Sequence, residues 1–585
     1  MSWLSIAHLP RPHDPERQSV AWARWSEKAE RPSDPAAVAL LDALFGNSPY
    51  LTEIALQNPN FMTDLWRRDP VVVVADLMVE LVAARAAARG GEQPAAVATT
   101  LRRLKHRVAL ATAIADIAGL WTLEKITSAL SGFASGCLDA LTESILLQLA
   151  RDGQLAIGTD PDAAAFTVLG MGKLGADELN YSSDIDLILL YDRDAPALAE
   201  NDQISRHFVR GARLLVQLLS ETSADGYIFR TDLRLRPDPG STPLAMSVQA
   251  AELYYESVGQ NWERAAMIKA HPVAGNRAVG EAFLADMRPY IWRRHLDFAA
   301  IHDIHSIKRQ IDAHRGGGTV KVLGHNVKLG RGGIREIEFF AQTQQLIFGG
   351  RDPSLRLRGT CETMRALAAA GHVTSAAADE LIEAYGFLRR VEHRLQMVDD
   401  RQTHSLPADE PGVAAIATFL GYPTSAAFQK DLLERLRCVE GHYAKLFEEA
   451  PSLAGPAGNL VFTGTDDDPG TLESLEALGF RDPAAAAGIV RRWHHGRYRA
   501  TATARARELL TELMPGLLKA LGSTAAPDQA LLNLDLFLTN LPAGVQLFSL
   551  FKANPALLEL VATVMGSAPG LAAHLARRTI LLDSV

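Results

Sequence analysis

The chain has 585 residues, enough for roughly three or four domains, and 48% of them are hydrophobic. Its 59 basic and 68 acidic residues leave a formal net charge of −9, which argues against a nucleic-acid substrate. No apolar run reaches the roughly 18 residues that span a bilayer, and the three cysteines have neither disulfide nor metal-ligand spacing. We therefore expect a globular protein of the reducing cytoplasm, with no membrane and no nucleic acid as partner.

Residues 1–160 are predicted to be helical with short connections. Ser48 followed by Pro49 is a helix-start signal, because Asn47 or Ser48 can cap the first amides and proline is tolerated in the first turn. Alanine- and leucine-rich segments predict further helices. A cluster of basic residues between Arg102 and Arg107 is interpreted as a solvated helix face.

A glycine turn follows the apolar run Phe166–Leu169. The turn reads Gly170-Met171-Gly172-Lys173-Leu174-Gly175 and leads into a polar loop that contains Ser183. Backbone amides in such a turn hold phosphate oxygens well, and Lys173 adds a positive charge. We therefore expect a phosphate to bind at Gly172 and Lys173.

The next run opens with the pair Asp184-Ile185-Asp186 and is rich in apolar and β-branched residues up to Tyr191. This composition predicts a buried strand, on which Asp184 and Asp186 project from the same face. Two adjacent carboxylates repel each other, and a divalent cation such as Mg²⁺ relieves that repulsion. The alternative is a pair of solvated aspartates at the start of a strand.

A third carboxylate, Asp232, lies in the alternating segment 226–237. Arg230, Arg234 and Arg236 have the same parity as Asp232, so a strand here would place all of them on one face. One acid among three arginines suits a metal beside a polyphosphate. The alternative is a salt-bridged edge strand exposed to solvent.

The second informative segment is Asn326–Phe340, in which glycines precede a predicted helix. Glycine lets a backbone approach an anion closely, and the helix start would add its amides, with Lys328 and Arg331 supplying charge. Glu336 and Glu338 are two residues apart, so at most one of them points toward a metal from a helix.

The rest of the chain is predicted to be mainly helical. Lys269 is a candidate phosphate contact, and residues 381–398 have the apolar spacing of a helix. Residues 451–470 are rich in Gly, Pro and Asp and predict a linker. A short similarity between Phe45–Leu51 and Met565–Leu571 suggests that a second copy of the first module begins where the chain stops.

The glycine turn, the Asp-x-Asp pair and the later strand aspartate together resemble the nucleotidyltransferase fold of the DNA polymerase β type. That fold usually has Gly-Ser in the turn, where this chain has Gly172-Lys173. With this departure, the stretches GMGKLG, LNYSSDIDLILLYD, RTDLRLRP, WERAAMIKA and VKLGRGGIREIEFF resemble the bifunctional glutamine synthetase adenylyltransferase/adenylyl-removing enzymes. The resemblance covers most of the chain.

The resemblance implies an α+β fold: a mostly helical chain with an embedded polymerase-β-type nucleotidyltransferase α/β core. We expect an N-terminal helical region at 1–160 and the catalytic core with insertions at 161–330. A helical domain completing the catalytic unit is expected at 331–450. Residues 451–585 would be a linker and regulatory helical region leading to a missing second nucleotidyltransferase unit, so the chain resembles the N-terminal, adenylyl-removing part.

The implied reaction is phosphorolysis of an AMP–tyrosine bond on adenylylated glutamine synthetase, which gives ADP and active synthetase in the control of nitrogen assimilation. Asp184, Asp186 and Asp232 would be the catalytic acids and hold two Mg²⁺ ions, with Glu336 or Glu338 as a further candidate ligand. The implied partners are glutamine synthetase, the PII signalling protein, ATP or ADP, and inorganic phosphate. The candidate substrate- and phosphate-binding residues are Gly172, Lys173, Ser183, Arg234, Arg236, Lys328 and Arg331.

Two alternatives remain open at this point. The same acids would serve ATP-dependent adenylylation, an activity that the resemblance also implies for the full-length protein. Alternatively, the chain is a non-catalytic regulatory module that binds glutamine synthetase and PII. Metal-dependent turnover distinguishes an enzyme from such a module.

Overall fold

The computed structural model describes residues 6, 9–198, 202–293, 321–445, 469–494 and 498–577. The chain divides into two compact units. One comprises Met1–Tyr254, Arg264–Arg294 and Thr319–Leu446, and the other comprises Tyr255–Glu263, His295–Gly318 and Phe447–Val585. The described residues are mostly helical with one small sheet, which confirms the α+β class.

Helices form the first part of unit 1, as predicted. Ser48 caps one of them, its Oγ accepting the Leu51 amide at 2.9 Å, so the predicted helix start is confirmed. The three longest, α5 to α7, pack against one another. The helices are α1 (Pro15–Ser26), α2 (Pro35–Asn47), α3 (Pro49–Gln57), α4 (Pro59–Arg67), α5 (Pro70–Arg89), α6 (Pro94–Ile117) and α7 (Leu123–Arg151).

A five-stranded sheet follows, in the order β3-β2-β1-β5, with β4 paired to β2. Strand β2 runs antiparallel to β1 and parallel to β3 and β4. The predicted strand at Asp184–Tyr191 is confirmed. The strands are β1 (Phe166–Gly170), β2 (Asp184–Tyr191), β3 (Arg230–Asp232), β4 (Ala245–Ser247) and β5 (His271–Gly275).

Shorter helices connect these strands. Among them, α9 packs on β3 and β4, and α12 packs on β1 and β5. These helices are α8 (Gly172–Gly175), α9 (Ile204–Ser220), α10 (Val248–Ser257), α11 (Asn261–Met267), α12 (Arg277–Asp286) and α13 (Arg288–Ile291).

A second group of helices completes unit 1 around its own apolar cluster. The predicted helix at 381–398 is confirmed, because it lies within a 25-residue helix that ends at Asp399. The helices are α14 (Ile334–Phe348), α15 (Thr360–Ala369), α16 (Ser375–Asp399), α17 (Glu410–Phe419) and α18 (Ser425–Lys445).

Unit 2 has a separate helical core in which Trp493 and Phe537 are fully buried. Most of the predicted linker, residues 451–468, lies outside the described residues, and the predicted divisions at 160, 330 and 450 stay predictions. The helices after that gap are α19 (Pro469–Ala477), α20 (Pro483–His494), α21 (Ala504–Gly522), α22 (Pro527–Asn540), α23 (Val545–Ala553), α24 (Pro555–Ser567) and α25 (Pro569–Arg577).

The described helices were compared with the length and apolarity that a membrane crossing requires. No single one of them meets both requirements. One pair, α23 and α24, meets them only when taken together across a bend of 112°.

Candidate functional site: three carboxylates beside a glycine turn

Three carboxylates meet where β2 and β3 run side by side. In this parallel pair Asp186 lies opposite Asp232, and Asp184 lies opposite Arg230. Asp184 and Asp186 share a half-buried face of β2, while Ile185 between them is buried on the other face. The structure thus brings together the three acids that the sequence singled out.

The glycine turn packs directly against one of these acids. Gly172 has a φ of +53°, and a Cβ added there would lie 2.6 Å from Oδ2 of Asp186. The Met171 amide donates to the Asp186 carbonyl at 2.9 Å. Position 172 therefore requires glycine, because a side chain would be strained at this φ and would overlap the Asp186 carboxylate. The hydrogen bond from Met171 to Asp186 fixes the turn against β2. Ser183 is half-buried immediately before β2.

The three acids repel one another. Burial, together with the charges of Asp232 and Asp184, raises the pKa of Asp186 to about 6, although Lys328 and Arg335 oppose the rise. Lys328 and Arg335 therefore act electrostatically on the acids. They do not cancel the combined effect of burial and of the neighbouring acids, since the pKa stays well above the usual aspartate value.

Asp184 and Asp232 each accept hydrogen bonds from polar side chains. Oδ1 of Asp184 accepts from Arg230 Nε at 3.2 Å, and Oδ2 accepts from Gln402 Nε2 at 3.0 Å. Oδ2 of Asp232 accepts from Arg234 Nε at 2.9 Å. Arg234 thus lies beside the acid cluster with one of its acids as partner, and its phosphate-binding role stays a prediction.

The predicted long strand around Asp232 is corrected. Strand β3 ends at Asp232, whose Oδ1 accepts the Arg234 amide at 2.7 Å and turns the chain. Arg236 therefore does not share a strand face with Asp232. Its guanidinium instead donates to the carbonyls of Leu233, at 2.8 Å, and Pro239, at 2.7 Å, which holds the following loop together.

Lys173, predicted to hold phosphate, lies in a buried ion pair. Its Nζ is 3.0 Å from both carboxylate oxygens of Glu392 on α16. Glu392 also lies 3.3 Å from Arg389 Nε and 2.8 Å from His404 Nδ1. Burial lowers the pKa of Lys173 to about 7, while Glu392 opposes the fall. The contact shown for Lys173 is thus a carboxylate, and its phosphate role stays a prediction.

Lys269 is also enclosed by acids. Its Nζ lies 2.9 Å from Oε2 of Glu178 and 3.6 Å from Oε1 of Glu338. Burial acts to raise the pKa of Glu338, but Lys269 and Lys173 outweigh it and lower that pKa to about 2. Of the two predicted candidates for an extra metal ligand, Glu338 therefore faces lysines, and Glu336 is buried as well.

The glycines before α14 are explained by packing. A Cβ on Gly332 would overlap the backbone of Leu436 on α18. Arg331 Nε lies 3.6 Å from Oε1 of Glu440, also on α18. The close approach of Gly332 to a helix thus accounts for this glycine, and Arg331 forms an ion pair with the same helix. The expected anion contact of this segment stays a prediction.

The first amides of α14 are already paired within the loop. The Ile334 amide donates to the Val327 carbonyl and the Arg335 amide to the Lys328 carbonyl, each at 2.9 Å. The predicted anion site at this helix start is therefore not supported for these amides. Lys328 stays a candidate through its charge, which acts on Asp186.

Comparison with known proteins identifies the family. Residues 38–286 match the family described as glutamate-ammonia ligase adenylyltransferase, and residues 305–447 match the one described as GlnD PII-uridylyltransferase. The chain is 51% identical over 561 residues to the bifunctional glutamine synthetase adenylyltransferase/adenylyl-removing enzyme of Rhizobium meliloti (strain 1021). The chain belongs to this family.

Other members of the family show the same extent of similarity. The protein of the same name from Mesorhizobium japonicum is 50% identical over 551 residues, and that from Brucella melitensis is 47% identical over 586 residues. These three alignments cover 94%, 93% and 98% of this chain. They cover 57%, 55% and 59% of the relatives, so the chain spans somewhat more than half the length of the curated family members it matches.

The interpretation of the basic cluster on α6 as a solvated face is wrong for Arg102 and Lys105, which are both buried. Lys105 Nζ lies 3.4 Å from the centre of the Tyr227 ring, and burial lowers the pKa of Lys105 to about 8. The Tyr227 hydroxyl donates to Asp400 and accepts from Arg230, each at 2.8 Å. Lys105 thus supports the residues around Asp184.

Sequence reasoning missed several groups that hold the site of this family member. Gln396 on α16 accepts the Ser182 amide at 2.9 Å, and Ser182 Oγ accepts from Arg230 at 2.6 Å. One feature of the sequence could have indicated these groups. Charged and polar residues in the C-terminal half of α16 occupy more than one face of that helix. The other groups missed are Gln402, Arg335, Arg389 and Glu392.

Proposed function

We propose that this chain is a metal-dependent nucleotidyltransferase that removes AMP from a tyrosine of adenylylated glutamine synthetase by phosphorolysis, yielding ADP and the active synthetase. The observation that carries the proposal is the register of β2 and β3, which sets Asp186 opposite Asp232 and beside Gly172. Carboxylates at this spacing, next to a glycine turn, support a polymerase-β-type core.

The acids fit a divalent cation. Asp184, Asp186 and Asp232 provide carboxylate oxygens, the ligands that Mg²⁺ prefers. The pKa of Asp186 is raised first by burial and then by the charges of Asp232 and Asp184, and a bound cation would stabilise the charged carboxylate against both. Two bound Mg²⁺ ions would stabilise the attacking and leaving oxygens of an in-line displacement.

The chain's own cations have a separate task. Incoming phosphate and the AMP diester are both anionic, so their approach is unfavourable unless positive charge is already in place. Lys328 and Arg335 act on Asp186 from beside the acids, and Arg234 is bound to Asp232. These three residues would lower the repulsion between the two substrates. Phosphate is already ionised at neutral pH, so no strong general base is required.

The deciding experiment supplies adenylylated glutamine synthetase, Mg²⁺ and phosphate to the chain and measures ADP. We expect ADP to form only when phosphate and Mg²⁺ are both present. Release of AMP without phosphate would contradict phosphorolysis, and consumption of ATP with unmodified synthetase would favour the adenylylating alternative. Asp194→Asn, which changes an exposed acid just beyond β2, is the matched control and should keep full activity.

The partners follow as proposals of the same kind. We propose glutamine synthetase as the protein substrate, because the relatives that cover nearly all of this chain bear its name. The match of residues 305–447 to a PII-uridylyltransferase description supports PII as a regulatory partner. A longer protein containing this chain would also adenylylate the synthetase with ATP, in the cytoplasm.

A further inference from the structure

A second group of metal-binding side chains lies away from the three acids, between α16 and α18. Glu380 on α16 faces Cys438 and His442 on α18, and one ligand atom from each lies within 4.8 Å of the other two. The Glu380 Oε2–His442 Nε2 distance is 2.6 Å, and the Cys438 Sγ–Glu380 Oε2 distance is 3.6 Å. Cys438 and His442 are four residues apart, so they share one helix face.

The chemistry of this set points to one class of ion. A thiolate and an imidazole together favour Zn²⁺ over Mg²⁺ or Ca²⁺, which prefer oxygen ligands. Zn²⁺ binds sulfur at about 2.3 Å and nitrogen or oxygen at about 2.0–2.2 Å, so its ligand atoms lie roughly 3.3–3.7 Å apart. The Cys438–Glu380 separation already has this value, and the Glu380–His442 separation needs to widen by about 1 Å.

Glu380 has the freedom to make that adjustment. Its side chain is 55% exposed, whereas that of His442 is 17% exposed and therefore better fixed. The two helices pack against each other through apolar contacts that include Phe387 with Phe428, and the exposed ion pair of Arg435 with Glu383, at 2.7 Å, also joins them. The helices are thus already positioned, and one flexible carboxylate completes the set.

We propose that Glu380, Cys438 and His442 form a Zn²⁺ site, with solvent as the fourth ligand. On binding, the Cys438 thiol proton passes to solvent, the Nε2 proton of His442 is released to solvent or replaced by one on Nδ1, and the hydrogen bond between Glu380 and His442 gives way to two bonds to the metal. The proposal is independent of the phosphorolysis reaction, since none of the three residues belongs to the carboxylate cluster.

A Zn²⁺ ion bound at this site would hold α16 against α18. Glu392, which pairs with Lys173 of the glycine turn, is on the same helix 12 residues after Glu380, or about 18 Å along its axis. Fixing α16 against α18 would therefore steady the helix that supports the glycine turn. The proposed role is structural, because Glu380 lies about 18 Å along α16 from the residue that supports the glycine turn, away from the carboxylate cluster.

The test measures the reactivity of one thiol in the full, metal-stripped chain. All three cysteines lie in described segments, and Cys137 and Cys361 are buried while Cys438 is half-buried. We expect one thiol to react with a disulfide reagent under native conditions, and one equivalent of Zn²⁺ to slow that reaction at least tenfold. Co²⁺ should give a thiolate-to-metal charge-transfer band, which carboxylate sites cannot produce.

Three variants decide the assignment. Glu380→Gln and His442→Gln should each abolish the Zn²⁺ protection of Cys438, and Cys438→Ser should abolish the Co²⁺ band. Glu383→Gln alters the neighbouring ion pair between the same helices and should keep both signals. Unchanged thiol reactivity with Zn²⁺, or a Co²⁺ band that survives in Cys438→Ser, would overturn the proposal. Circular dichroism of each variant confirms that it is folded, so that a lost signal reports the site.

Discussion

Two neighbouring regions of unit 1 are rich in charged side chains but differ in how those charges are paired. In the acid cluster, formed by Asp184, Asp186 and Asp232, like charges are concentrated and one pKa is raised. In the ion-pair layer, formed by Lys173 with Glu392 and Lys269 with Glu178, every named charge has an opposite partner within about 3 Å. The acid cluster is half-buried, whereas Glu392, Lys269 and Glu178 of the ion-pair layer are buried and the Lys173 side chain is only 11% exposed.

This difference in pairing distinguishes the acids proposed to bind metal from the ion pairs that support the site. Compensated charges add rigidity and specificity to a buried interface, and they leave little affinity for an additional ion. In the acid cluster Asp184 and Asp232 each pair with an arginine, but the pKa of Asp186 stays raised, so its charge lowers the stability of the free protein and a bound cation restores it. Removing a charge should therefore have opposite effects on stability in the two regions.

The largest expected effect is the loss of activity in Asp186→Asn. We expect ADP formation to fall more than about 100-fold, because removing even an outer-shell partner of a metal ligand costs about 10- to 100-fold. The metal-free variant should also be more stable by roughly 1–3 kcal/mol, since one pKa unit is worth about 1.4 kcal/mol. Turnover assays and urea unfolding measure both, and wild-type activity in this variant would refute the metal assignment.

Removing a charge from the ion-pair layer should destabilise the protein. Glu392→Gln leaves Lys173, Arg389 and His404 without their shared carboxylate, and loss of one partner of a buried pair costs about 3–5 kcal/mol. Urea unfolding measures the change. Glu383→Gln, which breaks a pair whose acid is 63% exposed, should cost no more than about 1 kcal/mol. Equal effects in the two variants would contradict the distinction.

The raised pKa of Asp186 predicts the pH dependence of stability in the metal-free protein. The folded pKa, about 6, is above the unfolded value, so between about pH 4 and 6 the folded state binds more protons than the unfolded state. Stability from this group is therefore greatest at low pH and is lost as pH rises through about 6. The contribution of Asp186 is the difference in unfolding free energy between wild type and Asp186→Asn, measured at each pH. A difference that stays constant from about pH 4.5 to 7.5 would contradict the raised pKa.

Gly172→Ala should destabilise the protein less than Glu392→Gln does. The left-handed φ and the contact of the new Cβ with Asp186 should cost about 1–2 kcal/mol. Activity should fall further than stability, because the methyl group displaces the carboxylate. Gly386→Ala on α16, where the added Cβ meets no atom within 4 Å, should raise the melting temperature slightly.

Local features of the fold were predictable and distant pairings were not. Strand β2 and the helix start at Pro49 follow from apolar spacing and capping over a few residues. The extent of β3 was overestimated because alternation continues past Asp232, while the turn depends on one side chain accepting one amide. Pattern alone cannot show where a turn replaces a strand.

Lys173 and Lys269 show a second limit of prediction from the sequence. Lys173 was expected to add positive charge to a phosphate site at the glycine turn, and Lys269 was a candidate phosphate contact. Lys173 and Lys269 instead pair with acids that are 219 and 91 residues away in the sequence. The local spacing of residue types does not predict a contact between residues so far apart. The acids were found because all of them come from the core strands themselves.

The dependence of the glycine turn on α16 has a consequence for synthesis. The turn and Ser182 leave the ribosome more than 200 residues before Glu392 and Gln396, to which they bind. At about 5–20 residues per second, that interval lasts roughly 10 to 40 seconds. During it the nascent β2 segment has neither of these supports, so slow translation between the two segments would prolong its exposure to chaperones and proteases.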